Sequence, residues 1–484
     1  MKHIKYINKL YCKAYLAILK YSAKYLLIFL KSNLLFLFIN KNKLAKYKQR
    51  KIESYRYLLD YIRYIKEFTR IYRQSLSWIQ SKDFISQYDT IPYPPLLNPQ
   101  TLNYSYISAR LAWDLNLPLP PNYDFIYIRI YACASGAMPL YLKKCGFYLT
   151  SSFQDSGFDD YATFRQIYSE LQNNKNIILD LLVHKFSEKF LHLVAKNVPL
   201  LIVTRDPISI MKTLANHTGP AHNKITRFNL TFDYNKVLAQ NLKYDNGATP
   251  QVGAFTHSVM EAHFATLESC LVHFKNNNKI IIDTANLAQD KVYETFVHLS
   301  KKLHFTLPNK SEFANIENTT LLLHWLNITL VVCENDVPNM FRQNDKHAKN
   351  THSSDCNNGI EIVIATPFMI NVYYDANDYE LLSGIDTKKF KLYIKKQWAN
   401  ILYKNTYLYN ATLEYLHGFC VALEAKIALE NQKQISETDI LHYFAENVEI
   451  KEKYKNIFNA NLITIHKNAK AIVDSWGYYK EFIK

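Results

Sequence analysis

Residues Asp124–Gly146 read DFIYIRIYACASGAMPLYLKKCG, and their reading decides the fold. Phe125 to Tyr131 is a continuous apolar and aromatic run, the pattern of a strand buried on both faces of a parallel sheet. Small residues follow from Ala132 to Ala137, with Gly136 near the end. Met138, Leu140, Tyr141, Leu142 and Cys145 then recur at helical spacing. Strand, small-residue loop and helix form a unit that aims backbone N–H groups and a helix N-terminus at a phosphate. The full phosphate-loop pattern GxxxxGK[ST] is incomplete here, because both its first glycine and its lysine are missing.

A second stretch, Val198–His217, reads VPLLIVTRDPISIMKTLANH. A short apolar strand from Leu200 to Val203 ends in Thr204-Arg205-Asp206-Pro207, and Thr213 falls eight residues after Arg205 in a helical pattern. An arginine at a strand's C-terminal end and a hydroxyl two turns into the next helix can reach one phosphate outside the sheet edge.

Together these two stretches resemble the P-loop sulfotransferase superfamily. In that family a KSGTT loop grips the 5′-phosphosulfate end of the donor, and an RDPRDVxxS element grips its 3′-phosphate. Ser135 and Gly136 match the first loop, Arg205 the arginine of the second motif, and Thr213 its serine. Leu182-Val183-His184-Lys185 resembles the segment that precedes the RDP strand, and Lys279–Leu287 resembles a late strand and helix of the family. The resemblance covers about residues 122–308. Ala134 stands where the family has the loop lysine, and Ala137 and Met138 replace two threonines. Loss of that cation removes a charge-assisted contact where charge develops in transfer. The chain also resembles a bacterial domain family, typified by the lead-in to Asp124 and the ASGAM loop, some of whose members carry a sugar-transferase label.

The whole chain has 484 residues, enough for two or three domains, and its 48% hydrophobic content excludes a mainly disordered protein. The formal charge of +16 points to an anionic partner. Nothing resembles a DNA or RNA module, so anionic lipid and a nucleotide donor are the expected partners, with no nucleic acid. Seven scattered cysteines without a CxxC pair predict reduced thiols and a cytoplasmic location. Cys133 lies in the phosphate-type loop, and packing is the preferred account of it over reactivity.

Residues 1–50 are basic and rich in large apolar residues, but Lys31-Ser32-Asn33 interrupts the apolar run, leaving it shorter than the ~20 residues of a membrane span. The expectation is a basic helical region over 1–90, with association at the inner membrane surface set against a helical hairpin packed on the body. Seven of the fifteen prolines fall between Pro92 and Pro121, predicting a stiff connector over 91–121 that contains a short helix at Ser105–Leu115. Trp113 reads as a packing anchor. Asp159–Leu171 reads as a helix, Ile177–Leu182 as a strand, and Ala254–Phe274 as a long helix. Residues 344–359 read as a linker, and His347, His352 and Cys356 within it reflect loop composition rather than a metal site. After Ile360–Tyr374, read as one or two strands, residues 386–484 are helical in period, with a capping box at Ser436–Asp439.

The predicted fold is α/β: a P-loop-like parallel sheet flanked by helices over 122–343, behind a basic helical N-terminal region and ahead of a mostly helical C-terminal domain over 360–484. The resemblance implies a transferase that modifies a bacterial surface glycan or its lipid-linked precursor, with 3′-phosphoadenosine 5′-phosphosulfate as donor substrate. Ser135, Gly136 and Ala137 would hold the donor's 5′ end, and Arg205 and Thr213 its 3′-phosphate. His184 is the first candidate for the base that takes the acceptor proton, ahead of His217, and Lys185 is the candidate replacement for the missing loop cation. No metal is expected. The alternatives are a glycosyltransferase using a nucleotide sugar, which needs no loop lysine, and a non-catalytic scaffold in a glycan-assembly complex.

Overall fold

The structure is a computed structural model and describes residues 67, 71–150, 159–183, 186–217, 225–242, 244, 249–256, 266–274, 277–313, 323, 326–336, 359–367, 369–370 and 374–484. The basic segment 1–50, His184, Lys185 and residues 344–358 of the expected linker lie outside them. Among the described residues no helix is long and apolar enough to cross a membrane.

The fold is α/β, and its two sheets use ten strands among the described residues. These are β1 (Phe125–Arg129), β2 (Tyr148–Leu149), β3 (Ile177–Leu182), β4 (Leu200–Thr204), β5 (Arg227–Asn229), β6 (Lys279–Asp283), β7 (Asn327–Val332), β8 (Ile360–Ala365), β9 (Tyr379–Leu381) and β10 (Lys391–Lys395). The first sheet is five-stranded and parallel, in the order β2-β3-β1-β4-β6, and is flanked by helices. Its middle strands are covered on both faces: every residue of β3 and β4 is buried, as are Phe125 to Ile128 of β1. A continuous apolar run satisfies that environment and an alternating one does not. Helix α1 (Ala109–Asp114) precedes β1, and the helices that come between and after the strands are α2 (Ala137–Lys144), α3 (Asp160–Asn173), α4 (Glu188–Leu193), α5 (Pro207–Ala215), α6 (Tyr234–Asn241) and α7 (Val292–Leu303).

The chain divides into two compact units. The first comprises Met1–Ile128, Phe147–Leu200 and Cys270–Asn278. In it α3 starts where Asp159 accepts hydrogen bonds from the N–H groups of Tyr161 and Ala162, and it buries Phe164, Ile167, Tyr168 and Leu171 at helical spacing. Trp113 packs on Phe164 with ring centroids 5.2 Å apart, and Lys189 Nζ sits 4.3 Å from the Trp113 ring, so Trp113 is a packing residue. The proline-rich stretch is folded rather than extended. Leu96, Leu97, Leu111, Leu115, Leu117 and Leu119 are all buried, and Leu96 N–H donates to Leu115 O at 2.9 Å. Leucines interspersed among the prolines gave it apolar surface to hide, which a spacer lacks.

The second unit comprises Arg129–Gly146, Leu201–Ser269 and Lys279–Lys484. It holds a second sheet, in the order β5-β7-β8-β10-β9, which no sequence expectation included. β7 and β8 are antiparallel partners, with Thr329 opposite Val363 and Leu330 opposite Ile362. β10 falls inside the stretch whose period read as helical. Its five residues alternate, with Leu392 and Ile394 buried, and a run that short fits either period. Beyond it come α8 (Lys396–Lys404), α9 (Thr406–Asn431), α10 (Glu437–Glu446), α11 (Val448–Asn461), α12 (Ile463–Asn468), α13 (Lys470–Ser475) and α14 (Gly477–Ile483). α9 buries Leu416, Phe419, Leu423 and Ile427 in one cluster with Ile328, Leu330, Ile362 and Ile364 of the second sheet. Each such side chain contributes about 1.5–3 kcal/mol of burial. The expected capping box at Ser436 and Asp439 is formed. Where a long helix was expected at Ala254–Phe274, the described parts are a helical turn at Val252–Thr256, a short helix at Leu267–Leu271 and a turn at Val272–Phe274.

Candidate functional site

All of the geometry at the candidate site lies in the second unit, at the C-terminal ends of β1, β4 and β6. After β1 the backbone turns through Ile130 to Gly136 before α2 begins. Two residues of that turn are left-handed, Ala132 at φ 57° and Ala134 at φ 53°. Left-handed backbone costs a residue with a Cβ about 1–2 kcal/mol, and such strain concentrates at functional sites. Met138 N–H donates to Ala134 O at 2.9 Å, which closes the first helical turn, and Gly136 at the N-cap supplies no side-chain cap.

Arg205 follows β4 directly. Its Nη1 donates to Ala132 O at 3.1 Å and to Thr213 Oγ1 at 2.9 Å. Thr213 Oγ1 in turn donates to Ser209 O at 3.0 Å within α5. The pair chosen from an eight-residue spacing is therefore in direct contact, and it is tied to the small-residue loop. Both bonds use Nη1, and among the described residues the half-buried guanidinium forms no ion pair.

Two acids line the same cavity as the arginine without pairing to it, Asp206 next to it in sequence and Asp283 at the end of β6. Asp206 Oδ1 accepts from Ile208 N–H at 2.9 Å, capping α5, and its Oδ2 accepts from Tyr479 N–H at 3.1 Å in α14. Burial pushes the Asp206 carboxyl above its ordinary range, against the pull of these backbone N–H groups. Asp283, at the end of β6, accepts from Ala285 N–H at 2.7 Å through Oδ1 and from Trp476 Nε1 at 2.7 Å through Oδ2.

These elements enclose an open cavity of about 590 Å³. Its walls include Ala134 from the first loop, Ala137 at the start of α2, Arg205 and Asp206 directly after β4, and Ser209 of α5. Asp283 at the end of β6, Thr284, Ala285, Leu287 and Ala288 after it, and residues 475–478 at the junction of α13 and α14 complete it. That size suits a small organic ligand. Behind it α5 is held from outside by α10, where Glu437 accepts from Ser209 Oγ at 3.0 Å and pairs with Lys212 Nζ at 3.2 Å. Asn216, at the other end of α5, exchanges two hydrogen bonds with the backbone of Ile435 at 2.8 and 2.9 Å.

Of the residues selected from sequence, Arg205, Thr213 and Ala137 belong to this constellation. Ser135 and Gly136 occupy the turn between the two cavity-lining alanines. His184 and Lys185 lie outside the described residues. His217 follows the end of α5 and is not among the cavity residues. Asp180 is fully enclosed in β3, where its backbone N–H donates to Thr150 Oγ1 at 3.0 Å. Cys133 is wholly buried, and burial pushes its thiol up to about 12 despite the neighbouring Arg205, in keeping with a packing role. Among the described residues no group of three or more His, Cys, Asp or Glu is placed to hold a metal ion.

Sequence reasoning missed Asp283, Trp476 and Tyr478, and gave Asp206 only as a weak carboxylate for a metal-bound diphosphate. Asp283 had a local signal, since an acid ending an apolar strand before Thr-Ala-Asn is an N-cap sequence, and its capping box with Asn286 is formed. Trp476 and Tyr478 had none.

Residues 281–484 match the family described as a protein of unknown function (DUF2972). That match takes in Asp283, Trp476 and Tyr478 and begins after β1 and Arg205. Neither the curated proteins nor the solved structures give a match to the chain.

Proposed function

We propose that the chain is a group transferase that holds a phosphorylated nucleotide donor, of the 3′-phosphoadenylyl type used by sulfotransferases, in the cavity at the ends of β1, β4 and β6. One observation carries this reading: Arg205 is oriented by two hydrogen bonds through Nη1, yet it has no carboxylate partner among the described residues and faces a cavity of about 590 Å³. A half-buried guanidinium whose Nε–Nη2 edge makes no hydrogen bond among the described residues is suited to a phosphate, which it binds bidentately. The strained small-residue loop beside it lets backbone approach the same anion closely. The acceptor, a surface glycan or its precursor, comes from the sequence resemblance alone.

A nucleotide sugar is the second reading, favoured by Ala134 on the cavity wall where sulfo transfer would call for a lysine. One experiment separates the two. Thermal stability is measured with adenosine 3′,5′-bisphosphate, UDP, CMP and GDP, since a ligand that binds only the native state raises the midpoint. Stabilisation by the bisphosphate, lost in Arg205→Ala, supports the first reading. Stabilisation by UDP, CMP or GDP in its place moves the donor to the second, and no shift with any of the four removes both.

A further inference from the structure

The donor loop and Arg205 account for one side of the cavity, and the other side is built by the far C-terminus of the chain. Across the first sheet β4 lies between β1 and β6, so the small-residue loop stands on one side of Arg205 and residues 283–288 stand on the other. The segment joining α13 to α14 is fastened on that second side. Trp476 Nε1 is bonded to Asp283 Oδ2, and Tyr479 N–H is bonded to Asp206 Oδ2. Trp476 and Tyr479 are 4% and 3% exposed, whereas Tyr478 between them is 41% exposed and lines the cavity. Leu287 and Ala288 line it too. The cavity thus runs from Arg205 and the small-residue loop to a side where Tyr478, Leu287 and Ala288 stand beside Asp283, Thr284 and Ser475.

We propose that Tyr478 is the platform for the nucleotide's base, and that the C-terminal segment thereby sets the donor's nucleoside specificity. The proposal rests on the donor-site reading above. Two buried anchors on either side fix the position of an exposed ring without using its hydroxyl, which is the arrangement a stacking surface needs. An aromatic face stacks a base through its π-surface and needs no hydrogen bond of its own. The two carboxylates act here as positioning residues. They hold the C-terminal segment against the ends of β4 and β6, so neither competes with the ligand's phosphate for Arg205.

The test is isothermal titration of the full chain with adenosine 3′,5′-bisphosphate and, separately, with inorganic pyrophosphate. Should a nucleoside diphosphate be the one that stabilises the protein, it replaces the bisphosphate. Tyr478→Ala is expected to weaken nucleotide binding about tenfold or more while leaving pyrophosphate unchanged, and Tyr478→Phe to retain both. Unchanged nucleotide affinity in Tyr478→Ala overturns the proposal, as does an equal loss of nucleotide and pyrophosphate. Arg205→Ala distinguishes the layers: if it abolishes nucleotide binding while Tyr478→Ala does not, the donor site stands and the base platform falls. A wild-type protein that binds no nucleotide overturns both.

Discussion

The indole Nε1 of Trp476 donates a 2.7 Å hydrogen bond to Oδ2 of Asp283, joining residues 193 positions apart. Trp476 is buried, so replacing it by Phe leaves a carboxylate oxygen without its donor. A hydrogen bond to a charged group contributes about 1.5–3 kcal/mol, and Trp476→Phe is expected to lower stability by that order in urea unfolding. Combining it with Asp283→Ala should cost less than the sum of the two, by about 1 kcal/mol of coupling. Strictly additive losses would show that the bond does not contribute.

Thr213 positions Arg205 through the 2.9 Å contact at Oγ1. Thr213→Val keeps the shape and removes the acceptor, freeing Nη1 from one of its two anchors. Nucleotide affinity is expected to fall about tenfold, the magnitude of one net hydrogen bond, with little change in melting temperature. Melting temperature falling sharply with affinity intact would assign Thr213 to the core instead.

Glu437 gives the clamp on α5 a defined pH dependence. Burial pushes its carboxyl up, but its own backbone hydrogen bond together with Lys212 and Ser209 outweighs this and holds it below the usual 4.5. The unfolded chain therefore binds the proton more readily than the native one. The stabilising contribution is complete above the ordinary glutamate range and is lost as pH falls through the depressed native value. Urea midpoints measured from pH 7 down to pH 3 should show a smaller acid-side loss in Glu437→Gln than in wild type. Parallel profiles would exclude the clamp.

Relieving the left-handed strain at Ala132 and Ala134, at φ 57° and 53°, should stabilise the protein. Glycine removes the Cβ penalty but makes the unfolded chain more flexible, so each Ala→Gly change is expected to gain up to about 1 kcal/mol. If nucleotide affinity falls in the same variants, the strain serves to preorganise the loop. Lower stability in both variants would mean that the loop is not held left-handed in solution.

Cys133 is fully buried, with its thiol pushed up to about 12 by burial. Iodoacetamide labelling followed by peptide mass spectrometry should leave it unmodified between pH 7 and 9 in the native protein and label it once urea unfolds the chain. Native labelling that rises across that range would reveal a thiolate and reopen a reactive role.

Several features were fixed by local sequence. The apolar runs of β1, β3 and β4 could be satisfied only by burial on both faces, which requires strands alternating with covering helices. The contact between Arg205 and Thr213 followed from helix geometry, because two turns of α5 bring the hydroxyl back beside the strand end. The capping box at Ser436 was readable because its bonding partner lies three residues on, whereas Asp159, read as the first residue of a helix, is its N-cap. The second sheet and the far wall of the cavity depended on tertiary structure. β7 and β8 are separated by the segment that read as a linker, and no periodicity within either strand names its partner. Likewise nothing near Trp476 or Tyr478 in sequence marks them as neighbours of Asp283 and Arg205. Periodicity records which face of an element is hidden, whereas the folded chain alone determines what covers it.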